Sequence, residues 1–235
     1  MNKKQTAIVT GASKGIGKAI ALKLAQENFN VVIFGRNEKN LISVKKVIQK
    51  HNVDCEYFIG DVADQNFVSD SVKQIQKKYK KIDVLINNAG EAIFKKFTET
   101  TLEDFKTQMN TNVFGVFNFT KYVIEQMINK RNGTIINIVS QAGKYGFEFG
   151  TTYSATKHAV MGFSKSLLIE VRKFNIRIIT ICPGSTDTEM IKNSPIHRNL
   201  KQFLKPQDVA EITYSAIKLP QRALISDLEI RPTNP

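Results

Sequence analysis

The sequence predicts an α/β fold, a single domain of 235 residues built on a doubly wound parallel sheet of about seven strands with helices on both faces. Three observations carry that expectation. Short β-branched apolar runs bounded by Gly, Asn or Asp recur along the chain, and longer segments of helical period separate them. No Pro/Gly/Ser-rich linker, low-complexity tract or fixed-period repeat divides the whole. A strand joined through a helix to a parallel neighbour crosses over right-handedly, so repeated units of this kind wind into one sheet covered on both sides.

In chain order, the first strand is expected at 6–10, and a helix over 15–27 follows a glycine-rich turn. A strand at 30–35 and a helix over 38–51 come next, then a strand at 55–60 and a helix over 65–79 with Asp64 as its N-cap. The fourth strand, 83–87, precedes a long helix over 102–129 capped by Thr101. The run at 133–139 and a helix over 152–174 with Thr151 as N-cap form the fifth unit. Strands at 177–182 and 224–231 bracket a last helix over 206–218. The basic run from Lys73 to Lys81 ends its helix where cations suit the macrodipole.

Composition narrows the function classes. The 34 basic and 21 acidic residues leave a net charge of +13, a field that attracts polyanions. A solvated lysine-rich surface that favours a phosphate-bearing cofactor accounts for it better than nucleic-acid binding, because no run of aromatics for base stacking accompanies the charge. Cys55 and Cys182 are too few for a disulfide framework or a four-ligand zinc site, and both sit in apolar runs as buried free thiols. No apolar stretch approaches signal-peptide or membrane-span length, so a cytoplasmic chain that binds no membrane is expected. His51 and His197 lie in polar surroundings and His158 faces away from Lys157, which suggests no metal site. No Gly-x-Ser-x-Gly elbow argues for a hydrolase.

The chemistry begins where the first strand runs into Thr10-Gly11-Ala12-Ser13-Lys14-Gly15-Ile16-Gly17 and a helical pattern follows at once. Glycines there permit positive φ and close backbone approach, and a helix N-terminus offers free N–H donors to a pyrophosphate. The spacing G-x-x-x-G-x-G departs from the commoner G-x-G-x-x-G fingerprint. Further along stand Asn87-Asn88-Ala89-Gly90 ending the fourth strand, Ser140 ending the fifth, Tyr153-Ser154-Ala155-Thr156-Lys157, and Pro183-Gly184 ending the sixth. In this order and spacing, over nearly the whole chain, the set resembles the short-chain dehydrogenase/reductase family and its Rossmann-like fold.

The pair Tyr153 and Lys157 is legible on its own terms. Four residues apart on a helix, they share one face. A free tyrosine titrates near about 10, and a neighbouring cation stabilises the phenolate and brings it toward neutral pH. The resemblance implies that Ser140 hydrogen-bonds the substrate oxygen, that Tyr153 passes its proton, and that Lys157 also holds the nicotinamide ribose. It implies that Asn112, in Asn110-Thr111-Asn112-Val113-Phe114-Gly115, supports a proton-relay water.

For the cofactor, a carboxylate at the end of the second strand selects NAD, whereas Arg accommodates a 2′-phosphate. The chain reads Gly35-Arg36-Asn37 there, with Lys14 as a second cation, and NADP(H) is expected. By resemblance the cofactor set comprises Gly11, Ser13, Lys14, Gly15, Ile16, Gly17, Arg36, Asp61, Val62, Asn88, Ala89, Gly90, Tyr153, Lys157, Pro183, Gly184, Thr186 and Thr188. Asp61 reads equally well as a turn or capping residue.

Segments 91–97, 141–149 and 185–204 should rim a substrate cavity, with Ser140, Gln141, Tyr145 and Tyr153 against the substrate. The expected activity is NADPH-dependent reduction of a ketone or aldehyde. A 3-oxoacyl-(acyl carrier protein) reductase and a 3-hydroxy acid dehydrogenase stand as alternatives. The +13 surface could greet an acidic carrier protein, but LISDLEIRPTNP lacks the glycine pair usual after the last strand of those reductases. A redox-silent NADPH sensor or scaffold is the non-enzyme alternative. The resemblance also implies a homodimer or homotetramer built through the helices at 102–129 and 152–174.

Overall fold

The computed structural model describes residues 4–192, 194 and 202–233. Seven strands, β1 (Thr6–Val9), β2 (Asn30–Gly35), β3 (Cys55–Ile59), β4 (Val84–Asn87), β5 (Gly133–Ile138), β6 (Ile176–Pro183) and β7 (Asp227–Ile230), form one sheet. Every pairing is parallel and the order is β3-β2-β1-β4-β5-β6-β7. The chain therefore winds outward from β1 to β3 and restarts on the other side at β4. At the β1/β4 reversal the neighbouring connections leave toward opposite faces, which opens a crevice at the strands' carboxyl ends.

The strands read as continuous apolar runs because both faces are covered. Successive side chains point to opposite faces, so Ala7, Val9, Val31 and Ile33 enter one core while Ile8, Val32 and Phe34 enter the other. The first core lies under α1 (Gly15–Gln26), α2 (Glu38–Gln49) and α8 (Pro206–Lys218). The second lies under α3 (Gln65–Tyr79), α5 (Gly115–Lys130) and α6 (Thr151–Val171). Phe34 centres that second core, stacked on Phe58 at 5.0 Å and edge-on to Phe119 at 4.7 Å between ring centroids.

Helix starts follow local chemistry. Asn37 accepts from the Asn40 amide to cap α2, and Asp64 accepts from the Asn66 and Phe67 amides to cap α3. Thr101 and Asp104 form a reciprocal capping box on α4 (Leu102–Met109).

The helix expected over 102–129 is broken. A π-turn at Asn110–Phe114 separates α4 from α5, and within it the buried Asn112 side chain is tied to Glu91 and Thr156. Thr151 is the first residue of α6 rather than its cap; Gly150 takes that place, where any Cβ would come within 2.2 Å of the Phe147 ring. A short α7 (Glu189–Lys192) was not anticipated.

On β6 the buried guanidinium of Arg177 donates to Thr134 Oγ1 at 2.9 Å and to the carbonyls of Ile217 at 2.9 Å and Leu219 at 3.0 Å, closing the last turn of α8. No helix among the described residues is long and apolar enough to cross a membrane.

Candidate active site

The carboxyl ends of the central strands open into a cavity of about 830 Å³. Its first wall is the turn after β1. Gly11 adopts φ +64°, and a Cβ there would meet the Ala89 Cα at 2.8 Å. The turn is bolted to the end of β4. The Thr10 hydroxyl accepts from the backbone amides of Asn88 and Ala89 at 2.9 and 3.0 Å, and Asn88 Nδ2 donates to the carbonyls of Thr10 and Gly11.

Gly17 does not line the cavity; it lies beneath the turn, where a Cβ would stand 2.3 Å from Asn88 Nδ2. No side chain caps α1, and no acidic residue stands in its first turn. Its N-terminal amides and the positive end of its dipole therefore face the cavity uncompensated, beside Ser13, Lys14, Gly15 and Ile16 in the wall. The donor set fits the pyrophosphate of a dinucleotide.

Arg36, Asp61, Val62 and the β4 turn Asn88, Ala89 and Gly90 also stand in the wall. Asp61 Oδ1 accepts from the Ala63 amide at 2.9 Å, the local turn role that the sequence left open. The carbonyls of Val62 and Ala63 are fixed by Asn118 Nδ2, 3.1 Å from each. Both cations already have carboxylate partners: Arg36 pairs with Glu91 at 2.9 Å, and Lys14 pairs with Glu189.

On the reacting side, Ser140, Tyr153 and Lys157 share the wall with Pro183, Gly184, Thr186 and Thr188. Ser140 stands two residues beyond β5, its hydroxyl accepting from the Ala142 amide at 3.1 Å, and α6 carries Tyr153 and Lys157 one turn apart. Lys157 Nζ donates to the Ile138 carbonyl at 3.3 Å and lies 5.6 Å from the centre of the Tyr153 ring. Burial draws its ammonium down to about 8.

The tyrosine reverses the sequence expectation. Burial pushes the Tyr153 phenol up to about 12, with the Ser140 hydroxyl pulling the other way. Desolvation dominates at both groups, favouring the neutral phenol and drawing the ammonium down. Phe94 and Phe147 stand edge-on to the Tyr153 ring at 5.6 and 6.4 Å, but neither lines the cavity, so the rim expected from 91–97 and 141–149 packs against the phenol ring instead. Segments 91–97 and 141–149 are joined behind it by the Lys95 amide donating to the Phe149 carbonyl at 3.1 Å.

Three expected contacts are placed elsewhere. Gln141 donates to Glu229 on β7 at 2.8 Å, and Tyr145 is exposed against the Arg231 guanidinium, so neither side chain lines the cavity. Glu229 on β7 and Arg231 just beyond it engage the two side chains instead. Asn112 is buried with its amide fully engaged: Nδ2 donates to the Glu91 carbonyl and Thr156 Oγ1 at 2.9 Å each, and Oδ1 accepts from the Glu91 amide at 2.7 Å. Its side chain fastens the chain after Gly90 to α6 rather than facing the cavity.

Of segment 185–204, residues 186–192 line the cavity, while 193 and 195–201, His197 among them, lie outside the described residues. Sequence reasoning missed the role of Thr10, and it named Phe94, Glu91 and Glu189 only as parts of rim segments, without their partners. A hydroxyl directly before a glycine turn is a usable signal for the first. The others depend on partners far along the chain.

Residues 5–199 match the family model described as short chain dehydrogenase. The chain is 30% identical over 230 residues to an uncharacterized oxidoreductase of Staphylococcus epidermidis, covering 98% of each. It is 35% identical over 216 residues to a 3-oxoacyl-(acyl-carrier-protein) reductase of Thermotoga maritima, covering 87% of each. Among solved structures, an alcohol dehydrogenase from the archaeon Thermococcus sibiricus complexed with 5-hydroxy-NADP superposes with a TM-score of 0.91 at 27% identity, over 99% of this chain and 98% of that one.

Proposed function

The chain belongs to the short chain dehydrogenase family, and from that premise we propose that it is an NADPH-dependent oxidoreductase that reduces a ketone or aldehyde to an alcohol. The observation that carries the reading is the convergence of Ser140, Tyr153 and Lys157 on the same cavity as the uncapped end of α1.

A nicotinamide cofactor held there supplies the hydride. The amides at the start of α1 would hold its pyrophosphate, Arg36, Asp61, Val62 and the Asn88-Ala89-Gly90 turn its adenosine, and Pro183, Gly184, Thr186 and Thr188 its nicotinamide end. Arg36 and Lys14 supply cations for a 2′-phosphate, which supports NADP(H) over NAD(H). The Ser140 hydroxyl donates to the carbonyl oxygen of the substrate, and Tyr153 gives that oxygen its phenolic proton. A phenol held near 12 keeps its proton across the physiological range and serves as an acid. Lys157 compensates the phenolate left behind. Asn112 positions the loop that carries Glu91.

The Thermotoga maritima relative favours a 3-oxoacyl thioester as a second reading, with acyl carrier protein as partner. A 3-hydroxy acid is the third. We read the 235 residues as one domain, cytoplasmic, without nucleic-acid or membrane partners. The apolar recess of about 270 Å³ lined by Val113, Phe114, Val116, Phe117, Val160 and Phe163 supports assembly into a dimer or tetramer through α5 and α6.

The test is loss of NADPH absorbance against ketones, diketones, oxoacyl thioesters, keto acids and sugars, with NADH in parallel. Turnover faster with NADPH is expected. Preference for NADH would overturn the role given to Arg36 and Lys14, and NADPH binding without turnover on any class would favour a sensor.

A further inference from the structure

The position at which a dinucleotide site of this kind places its ribose-selecting carboxylate, the end of β2, is occupied here by Arg36. The carboxylate is nevertheless present in space. β4 lies on the far side of β1 from β2, and Glu91, just beyond its end, reaches across to Arg36 with Oε2 2.9 Å from NH2. The backbone of Glu91 is held on both sides by one side chain: its amide donates to Asn112 Oδ1 at 2.7 Å, and its carbonyl accepts from Asn112 Nδ2 at 2.9 Å. Asn112 is itself anchored to Thr156 Oγ1 at 2.9 Å. The acid is thus aimed at Arg36 by a buried clamp.

An arriving 2′-phosphate must take the guanidinium from this resident carboxylate, whereas a ribose 2′-hydroxyl can donate to it. Resting on the reading that the adenosine end of the cofactor lies at Arg36, we infer that Glu91 is a specificity-determining residue that narrows the preference for NADP(H) over NAD(H). Glu91 competes for Arg36 against the phosphate and accepts from the hydroxyl.

The experiment measures binding of adenosine 2′,5′-bisphosphate and adenosine 5′-monophosphate by calorimetry to the wild type, Glu91→Gln, Arg36→Ala and the double variant. Glu91→Gln should tighten the bisphosphate roughly three- to fivefold, the scale of one exposed ion pair, and leave the monophosphate unchanged or slightly weaker. The gain should vanish in the Arg36→Ala background and shrink with added salt. Retained monophosphate binding shows that each variant is folded. If Arg36→Ala leaves bisphosphate affinity untouched, the adenosine end lies elsewhere and the parent reading fails. If Arg36→Ala weakens the bisphosphate but Glu91→Gln shifts neither probe, or both equally, the cofactor reading stands and the competition is overturned.

Discussion

Two helix starts in this protein are finished in opposite ways. α4 begins in solvent with Thr101 and Asp104 satisfying each other's amides, and Glu103 and Asp104 place negative charge on the positive end of its dipole. α1 begins at the cavity with a lysine at the cap position, no capping side chain and no acid in the first turn. The backbone of Lys14 is nonetheless ready for a cap: φ −159° and ψ 176° is the extended conformation that a Ser or Asp cap adopts. Stability available to α1 has been left unclaimed where the amides face the cavity. α6 also starts without a capping side chain or an acid in its first turn, so what sets α1 apart is its place in the cavity wall, where its open end offers amides to an anion.

The largest expected departure lies on the reacting side. Tyr153→Phe keeps the ring between Phe94 and Phe147 but removes the proton donor; turnover should fall by about 10²–10⁴-fold with cofactor affinity nearly unchanged in a fluorescence titration. Wild-type turnover in that variant would remove Tyr153 from the chemistry.

Lys14→Asp tests the comparison most directly. Finishing α1 like α4 should raise stability to urea by about 0.5–1 kcal/mol and weaken NADPH binding by roughly tenfold or more. A variant that gains stability yet binds NADPH as before would show that the open end serves no anion.

Thr101→Ala provides the mirror image, a loss of about 1 kcal/mol in urea denaturation with no change in cofactor affinity.

A further effect is a slope. Lys157 titrates at about 8 in the folded protein against 10.5 for the free side chain, so between those values the unfolded chain binds the extra proton and stability rises with pH. Lys157→Met should flatten that part of the stability-against-pH curve relative to wild type.

Much of this was legible in the sequence because it rests on local pattern. The apolar runs mark all seven strands, and the glycine turn, Ser140, Tyr153 and Lys157 are found in one cavity. What escaped depends on contacts between distant residues. Lys14 and Glu189 are 175 positions apart and Arg36 and Glu91 are 55 apart, so nothing in either neighbourhood announces the pairing. Gln141 and Tyr145 were drawn to Glu229 on β7 and Arg231 just beyond it, and the place of β7 beside β6 is a matter of sheet order. The π-turn leaves no periodic trace, since its cause is a buried amide bonded to another loop. The Tyr153 phenol moved against expectation because residue spacing conveys the nearby cation but not the depth of burial.

Arg177 has a mechanical consequence for the cavity. Its guanidinium grips the end of α8 through dipoles rather than through a counter-charge, and α8 begins at Pro206 and Gln207 in the cavity wall. A 13-residue helix is a rod of about 20 Å, so each degree of tilt at the gripped end moves the other by roughly 0.3 Å. The end of α8 remote from the cavity is thus moored to β6 by a residue that never meets what enters the cavity.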